Sequence, residues 1–268
     1  MRSLTVCGVT FEADVKLAGR IAVWPHATGL DVAAIAFLWQ RIAADVGGVH
    51  VPLAASALLA ATVWGIYLLD RVWDVRRAKT PLPALRHRLA AKHPKLWTIT
   101  GVAALGASAA FAPSVLSSGG LVASMAVAVL CAEYYAGRIR WGERWPEPMR
   151  AAVLAGIFTA GCLAVPLAVA PTSAALLGVG LSLLLVLSAN ALECMRAEAG
   201  PRGRRTGNAF LGPAVGSGIL IAIVLRMPDV LMAAGALVLV HQFGPRRTPD
   251  THAAMADAAL LMPLLFRL

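Results

Sequence analysis

What most constrains this chain is a succession of apolar stretches, several of them near the ~20 residues that a helix needs to cross a hydrocarbon layer. Nine are read from the sequence, at about 21–44, 50–69, 96–113, 120–136, 150–169, 173–195, 209–225, 228–244 and 252–266. Between them the chain collects nearly all of its charge. Hydrophobic residues make up 59% of the sequence and charged residues 14%, against about 25% charged in an ordinary soluble domain. That excludes a soluble fold, which needs more charge to cover its surface. It also excludes disorder, which requires a chain poor in apolar residues. The long Leu/Ala/Val/Gly runs and the 6% aromatic content fit helices rather than an outer-membrane barrel with aromatic girdles. The fold class read from this is an all-α integral membrane protein. It forms a single transmembrane domain over 1–268, with 1–20 as a cytoplasmic or interfacial tail. Two halves, about 21–136 and 150–244, are read as pseudo-repeats, with a final helix at about 252–266.

The net charge is +10 and the isoelectric point about 10.3. In a soluble protein this would point to nucleic acid; here topology accounts for it, and no nucleic-acid partner is expected. Basic residues concentrate in alternate connections: 71–95, 137–150, 196–207 and 245–251, together with the N-terminal tail. These hold 21 of the 24 lysines and arginines, and the intervening connections carry almost none. The positive-inside rule then places the N-terminus and every basic connection in the cytoplasm. A multi-pass protein of a bacterial inner (plasma) membrane is expected, with its lipid bilayer as a constant partner. The cysteines at 7, 131, 162 and 194 have no metal or redox spacing and read as small buried apolar residues. The N-terminal tail contains Glu12 and Asp14 and no apolar core, so it does not read as a cleavable signal.

With only 14 acidic residues, each placement is informative. Asp70 and Asp74 close the second stretch, in WGIYLLDRVWDVRRA. Four apart on a helix, their carboxylates share one face. Such a pair suits a hard divalent cation, and Mg²⁺ characteristically combines one or two carboxylates with substrate phosphate. The plainer alternative is a pair of helix-end carboxylates bridging to Arg71 and Arg77. At the end of the sixth stretch, Asn190, Cys194 and Glu198 fall at i, i+4 and i+8, with Glu193 beside them. Two oxygen-rich helix ends at equivalent places in two halves point to an internal duplication around one site. Asp31, Glu133 and Asp257 lie within or near apolar stretches without an assigned role; a carboxylate there is expected to face the bundle rather than lipid.

In these two acidic helix ends, and in the Tyr134-Tyr135-Ala-Gly-Arg138-Ile-Arg140 stretch, the chain resembles the UbiA superfamily of intramembrane prenyltransferases, as a divergent member. The resemblance covers the topology of most of the chain and some 20 residues of motif. Where that family usually carries Asn-Asp-x-x-Asp-x-x-x-Asp, this sequence has Ile66 and Tyr67 before Asp70 and Asp74. Its usual second pair or triplet of aspartates is replaced by Asn190, Glu193 and Glu198. The resemblance implies about nine helices bundled around a central cavity with a cytoplasmic N-terminus. It implies Mg²⁺ held by Asp70, Asp74, Asn190 and Glu198, with Tyr67 beside them. It also implies an isoprenyl diphosphate met by Lys79, Arg86, Arg88, Lys92, Tyr134, Arg138, Arg140 and Glu193.

The activity so implied is Mg-dependent ionisation of an isoprenyl diphosphate and transfer of the prenyl group to a lipophilic or membrane-embedded acceptor. Two alternatives stand beside it. One is a terpene cyclase, in which the cation is captured within its own chain. The other is a non-catalytic lipid-binding or transport protein, which would show a polar path passing through Asp31 and Asp257.

Overall fold

The computed structural model describes residues 5–6, 9–10, 23–78, 82, 84–141, 146–171, 173–224, 226–243 and 248–267. The side chains at 5–6, 9–10, 141, 147, 196–214, 220–222, 224 and 266 lie outside that description. Among the described residues, a two-residue antiparallel ladder, β1 (Thr5–Val6) with β2 (Val9–Thr10), is the one regular element that is not helix. The helices are α1 (Leu30–Val46), α2 (Leu53–Arg77), α3 (Leu85–Lys92), α4 (Pro94–Val115), α5 (Ser118–Trp141), α6 (Glu147–Val169), α7 (Ala174–Val224), α8 (Pro228–Phe243), α9 (Pro249–Leu261) and α10 (Leu264–Arg267). Among the described residues, five helical segments are long and apolar enough to cross a membrane: Leu53–Arg77, Pro94–Val115, Ser118–Arg140, Pro148–Val169 and Ala174–Met195.

The segment expected as one span over 21–44 is broken. Helical backbone over 23–28 stops at Gly29, whose φ of 75° is left-handed, and α1 starts afresh. The break lets the chain turn while keeping His26 beside Asp31. Glycine is needed there for two reasons. A left-handed φ costs an L side chain energy, and an added Cβ would stand 2.3 Å from the Tyr67 ring.

α7 has helical backbone over 51 residues, yet it does not run along one axis. A Cβ on Gly218 would lie 3.4 Å from Val186, a residue that a straight helix would leave about 48 Å away. Ser182 likewise meets Met227, which follows α7. The helix therefore doubles back, and its two arms are neighbours. The reversal lies between Val186 and Gly218, a stretch that contains the basic 196–207 segment where the sequence suggests a connection between two apolar stretches.

α1 is the centre of the bundle, packing against α2, α6, α7 and α9. Its Trp39 is fully buried and donates its indole N–H to the Leu260 carbonyl of α9 at 3.1 Å. Ile35, Ile42, Leu176, Leu183, Leu237 and Leu260 fill the surrounding core. α2 and α4 approach through glycines, since a Cβ on Gly65 would stand 2.9 Å from the Gly101 carbonyl oxygen. Small residues that bring helix backbones together are characteristic of packing in hydrocarbon. α4 and α5 bury little and turn Leu96, Ile99, Phe111, Val122, Met125 and Val129 outward. So extended an apolar exterior is unsuited to water.

Polar groups collect at the two ends of this bundle. At one end the bidentate pair of Arg267 with Asp229 (3.0 and 2.7 Å), extended to Asp45, ties α10 to α8 and α1. At the other end stand Asp31, the C-terminal ends of α2 and α5, the start of α6 and all of α3. There Asp250 accepts the Leu85 backbone N–H at 2.8 Å, joining α3 to α9. We expect Gly29→Ala to destabilise the protein by on the order of 2 kcal/mol or more, from the left-handed φ and the clash with Tyr67. Thermal unfolding in detergent measures this, and an unchanged midpoint would contradict the packing described.

Candidate functional site

The second polar end encloses a cavity of about 250 Å³. α2 brings Tyr67, Asp70, Arg71 and Asp74; α3 brings Arg86; α5 brings Tyr134 and Arg138; α6 brings Arg150; α7 brings Asn190 and Cys194; α9 brings Asp257. Apolar walls of Ile35, Leu154, Phe158, Leu187, Met195 and Leu260 complete it. The cavity thus carries four arginines and three aspartates against a hydrocarbon-like lining.

The i, i+4 spacing of the two aspartates has the geometric consequence read from the sequence. One guanidinium spans both: Arg138 Nη1 donates to Asp70 at 2.5 Å and Nη2 to Asp74 at 2.8 Å. Arg71 reaches the same carboxylates at 3.3 and 3.2 Å, and Tyr135 donates its hydroxyl to Asp70 at 3.3 Å. The bridging partners are therefore Arg71 and Arg138; Arg77 lies over the Trp73 ring instead. Arg71 also stacks on Tyr67, 4.8 Å from the ring centroid, and Tyr67 donates its hydroxyl to the His26 carbonyl at 2.8 Å.

A second cluster adjoins the first. His26 Nδ1 lies 2.8 Å from Asp257 Oδ2 and 3.1 Å from Asp31 Oδ2, and Arg86 Nη1 is 3.1 Å from His26 Nε2. His26 thus faces two carboxylates through Nδ1 and the Arg86 guanidinium through Nε2. Asn190 Nδ2 donates to Asp257 Oδ1 at 2.8 Å. Because a carboxylate accepts, this fixes the orientation of the amide and identifies its oxygen. Asn190 Oδ1 is buried and receives no hydrogen bond from the protein. The three ligand atoms of His26, Asp31 and Asp257 lie within 4.8 Å of one another, close enough to surround a cation. A metal on Nδ1 would, however, put the imidazole proton on Nε2, against the Arg86 donor.

Of the residues expected from sequence at the site, Tyr67, Asp70, Asp74, Arg86, Tyr134, Arg138 and Asn190 line this one cavity. Arg88, Lys92 and Arg140 are exposed and outside its lining. Glu193 is fully buried elsewhere on α7, with its oxygens 2.6 Å from His241 and 2.8 Å from His252. Lys79 and the Glu198 side chain lie outside the described residues. The structure adds Arg71, Arg150, Asp257 and, behind them, His26 and Asp31. The signal for the last three was present: a carboxylate in an apolar run needs a buried partner, and His26 is five residues from Asp31.

Compared with family models, curated proteins and solved structures, the chain matches none.

His87, on α3, is buried beside Arg71 and Arg86. Burial, with the Arg71 and Arg86 guanidiniums beside it, pushes its imidazole down from 6.5 to about 3. Above about pH 6.5 it is neutral whether folded or unfolded. As the pH falls below that value, the unfolded chain takes a proton that the folded chain refuses, so stability is lost progressively toward pH 3. We expect the melting temperature in detergent to fall over this window, and His87→Gln to flatten the fall; equal acid sensitivity in the variant would contradict this.

Proposed function

We propose that the protein is a Mg-dependent intramembrane transferase of the UbiA type, which ionises an isoprenyl diphosphate and passes the prenyl group to an acceptor. The observation that carries this reading is the convergence of four arginines and three aspartates on one cavity with apolar walls. An isoprenyl diphosphate has the matching division, a polyanionic head and a hydrocarbon tail.

The donor set suits magnesium. The carboxylates of Asp70 and Asp74 and the partnerless Asn190 Oδ1 are hard oxygen ligands of the kind Mg²⁺ takes. In this reading those three residues hold the ion, which supplies positive charge opposite the departing diphosphate. The arginines meet the phosphoryl oxygens. Arg138 and Arg71 now neutralise Asp70 and Asp74, and a diphosphate offers the guanidiniums an alternative partner of higher charge. Exchange of partners then frees the carboxylates. Tyr67 and Tyr134 present aromatic faces, which favour a nearby carbocation, and the apolar walls exclude water that would otherwise capture it.

The same reading holds that the helices form nine spans with the N-terminus and the cavity on the cytoplasmic side, in a bacterial plasma membrane. Support comes from the placement of 21 of the 24 basic residues in alternate connections. The His26–Asp31–Asp257 cluster does not favour transport. The cluster sits at one end of α1, and beyond it the buried α1 side chains are apolar (Ile35, Leu38, Trp39, Ile42) with Gln40 as the polar exception.

The test is diphosphate release from C10–C20 and polyprenyl donors by purified protein, with lipid extract as the acceptor source. We expect release with Mg²⁺, none with EDTA, and a drop of at least about 100-fold in Asp70→Ala and Asp74→Ala variants that remain monodisperse. Release that persists in EDTA, or in both variants, would contradict the proposal. The product mass separates transfer from internal cyclisation.

A further inference from the structure

The outside of the α2–α4 connection is cationic. From 75 to 132 the sequence has no acidic residue. Arg76 and Arg77 end α2, Arg88 and Lys92 lie on α3, and Lys95 opens α4; all five are exposed. Arg88 and Lys92 are four apart and so share one face of their helix. Among the described residues none of the five pairs with a carboxylate, and Arg77 rests over the Trp73 ring.

The other side of α3 is fixed to the protein. Arg86 and His87 are buried, and Arg86 Nη1 is 3.1 Å from His26 Nε2. Ala90 packs with Tyr67, Leu68, Val72 and Trp97. Asp250 accepts the Leu85 N–H at 2.8 Å, at the end of α3 away from Lys92. The outward cations are therefore held in place by what lies beneath them. Directly beyond them the surface turns apolar. Lys95, Ile99 and Val102 follow at i, i+4 and i+7 on one face of α4, and Leu96, Ile99 and Val102 are exposed. α4 is long and apolar enough to cross a membrane, so Lys95 marks the edge of the hydrocarbon layer.

We propose that the outer face of α3, with the start of α4, binds the headgroup of an anionic phospholipid. The occupant follows from the order of chemistries along this surface, cations first and then exposed hydrocarbon. A phospholipid has the same order, with its phosphate at Arg88, Lys92 and Lys95 and an acyl chain along Ile99 and Val102. Inorganic phosphate or an acidic soluble protein would meet the cations and leave the apolar strip unused. A zwitterionic headgroup carries its own ammonium, whereas an anionic one offers these cations a net charge. The long basic stems lie along apolar surface while their heads reach the headgroups. With eight residues, α3 is too short to be a stable helix alone. A lipid at Arg88, Lys92 and Lys95 links it to α4 on the side opposite Arg86, whatever chemistry the cavity performs.

The experiment places the full chain in nanodiscs of phosphatidylcholine and phosphatidylglycerol in equal parts. One lipid at a time carries a photoreactive group on its acyl chain, and mass spectrometry locates the label. We expect phosphatidylglycerol to label 96–102 more than phosphatidylcholine by at least about fivefold, the effect of one cation near an anionic surface. The excess should fall away as salt is raised toward molar. Arg88→Gln/Lys92→Gln/Lys95→Gln should abolish it. Arg202→Gln/Arg204→Gln/Arg205→Gln, which takes the same charge from another basic connection, should keep it. Should the first variant not fold, the lipid and salt comparisons in the unaltered protein decide by themselves. Equal labelling by the two lipids, an excess that persists in molar salt or in the first variant, or one lost alike in both variants overturns the inference. So does an excess that inorganic phosphate removes where chloride at the same ionic strength does not, since the cations would then prefer the free anion.

Discussion

Charged groups at the end of an apolar bundle must find each other, and much of this structure follows from how they do so. Arg138 on α5 reaches across to Asp70 and Asp74 on α2, and Arg71 adds a second guanidinium to the same two carboxylates. The pairing is worth more here than on a soluble surface, because the groups are largely withdrawn from water. Yet it is not sealed, since each is still about one-fifth exposed. A fully buried pair would be fixed, whereas a solvated one would contribute little. This intermediate setting links α2 and α5 and leaves the carboxylates able to change partners. Just behind, His26 joins α1 to α9 through Asp31 and Asp257, and Arg86 joins α3 to the same cluster.

Much of this was legible in the sequence, because a membrane helix tolerates few charges and each must have a reason. The i, i+4 spacing of Asp70 and Asp74 put both carboxylates on one face, and one guanidinium bridges both. The apolar stretches foretold most helices within several residues. The sequence reads 196–207 as a connection between two spans; the backbone there is helical, and α7 doubles back somewhere between Val186 and Gly218. Where the sequence reading stopped short, the reasons are physical. Periodicity does not reveal that a span is broken at Gly29, because one left-handed glycine among apolar residues leaves the hydropathy unchanged. Nor does spacing along a helix say which side chain across the bundle lies opposite. Asp257 is 67 residues from Asn190 and 231 from His26, and only the packing of α1, α7 and α9 brings them together. Glu193 shows the same limit: two residues of α7 that are three positions apart, Asn190 and Glu193, enter different surroundings. One meets the cavity and the other meets two histidines.

Charge and oxygen ligands reach the cavity from different helices. The arginines come from α2, α3, α5 and α6, and Asn190 and Asp257 come from α7 and α9. Between them lie apolar and aromatic side chains. The separation follows from helices contributing at their ends, so that each element brings one kind of chemistry to a shared space.

In the proposed reaction, Asp70 and Asp74 take up a divalent ion only when a diphosphate draws the arginines away from them. Electron paramagnetic resonance of Mn²⁺ added to the purified protein, with and without an unreactive C20 thiolodiphosphate, tests this directly. The account predicts weak Mn²⁺ binding by the protein alone, and tight binding showing phosphorus coupling once the analogue is present. Tight binding without the analogue, or no phosphorus coupling with it, would contradict the account.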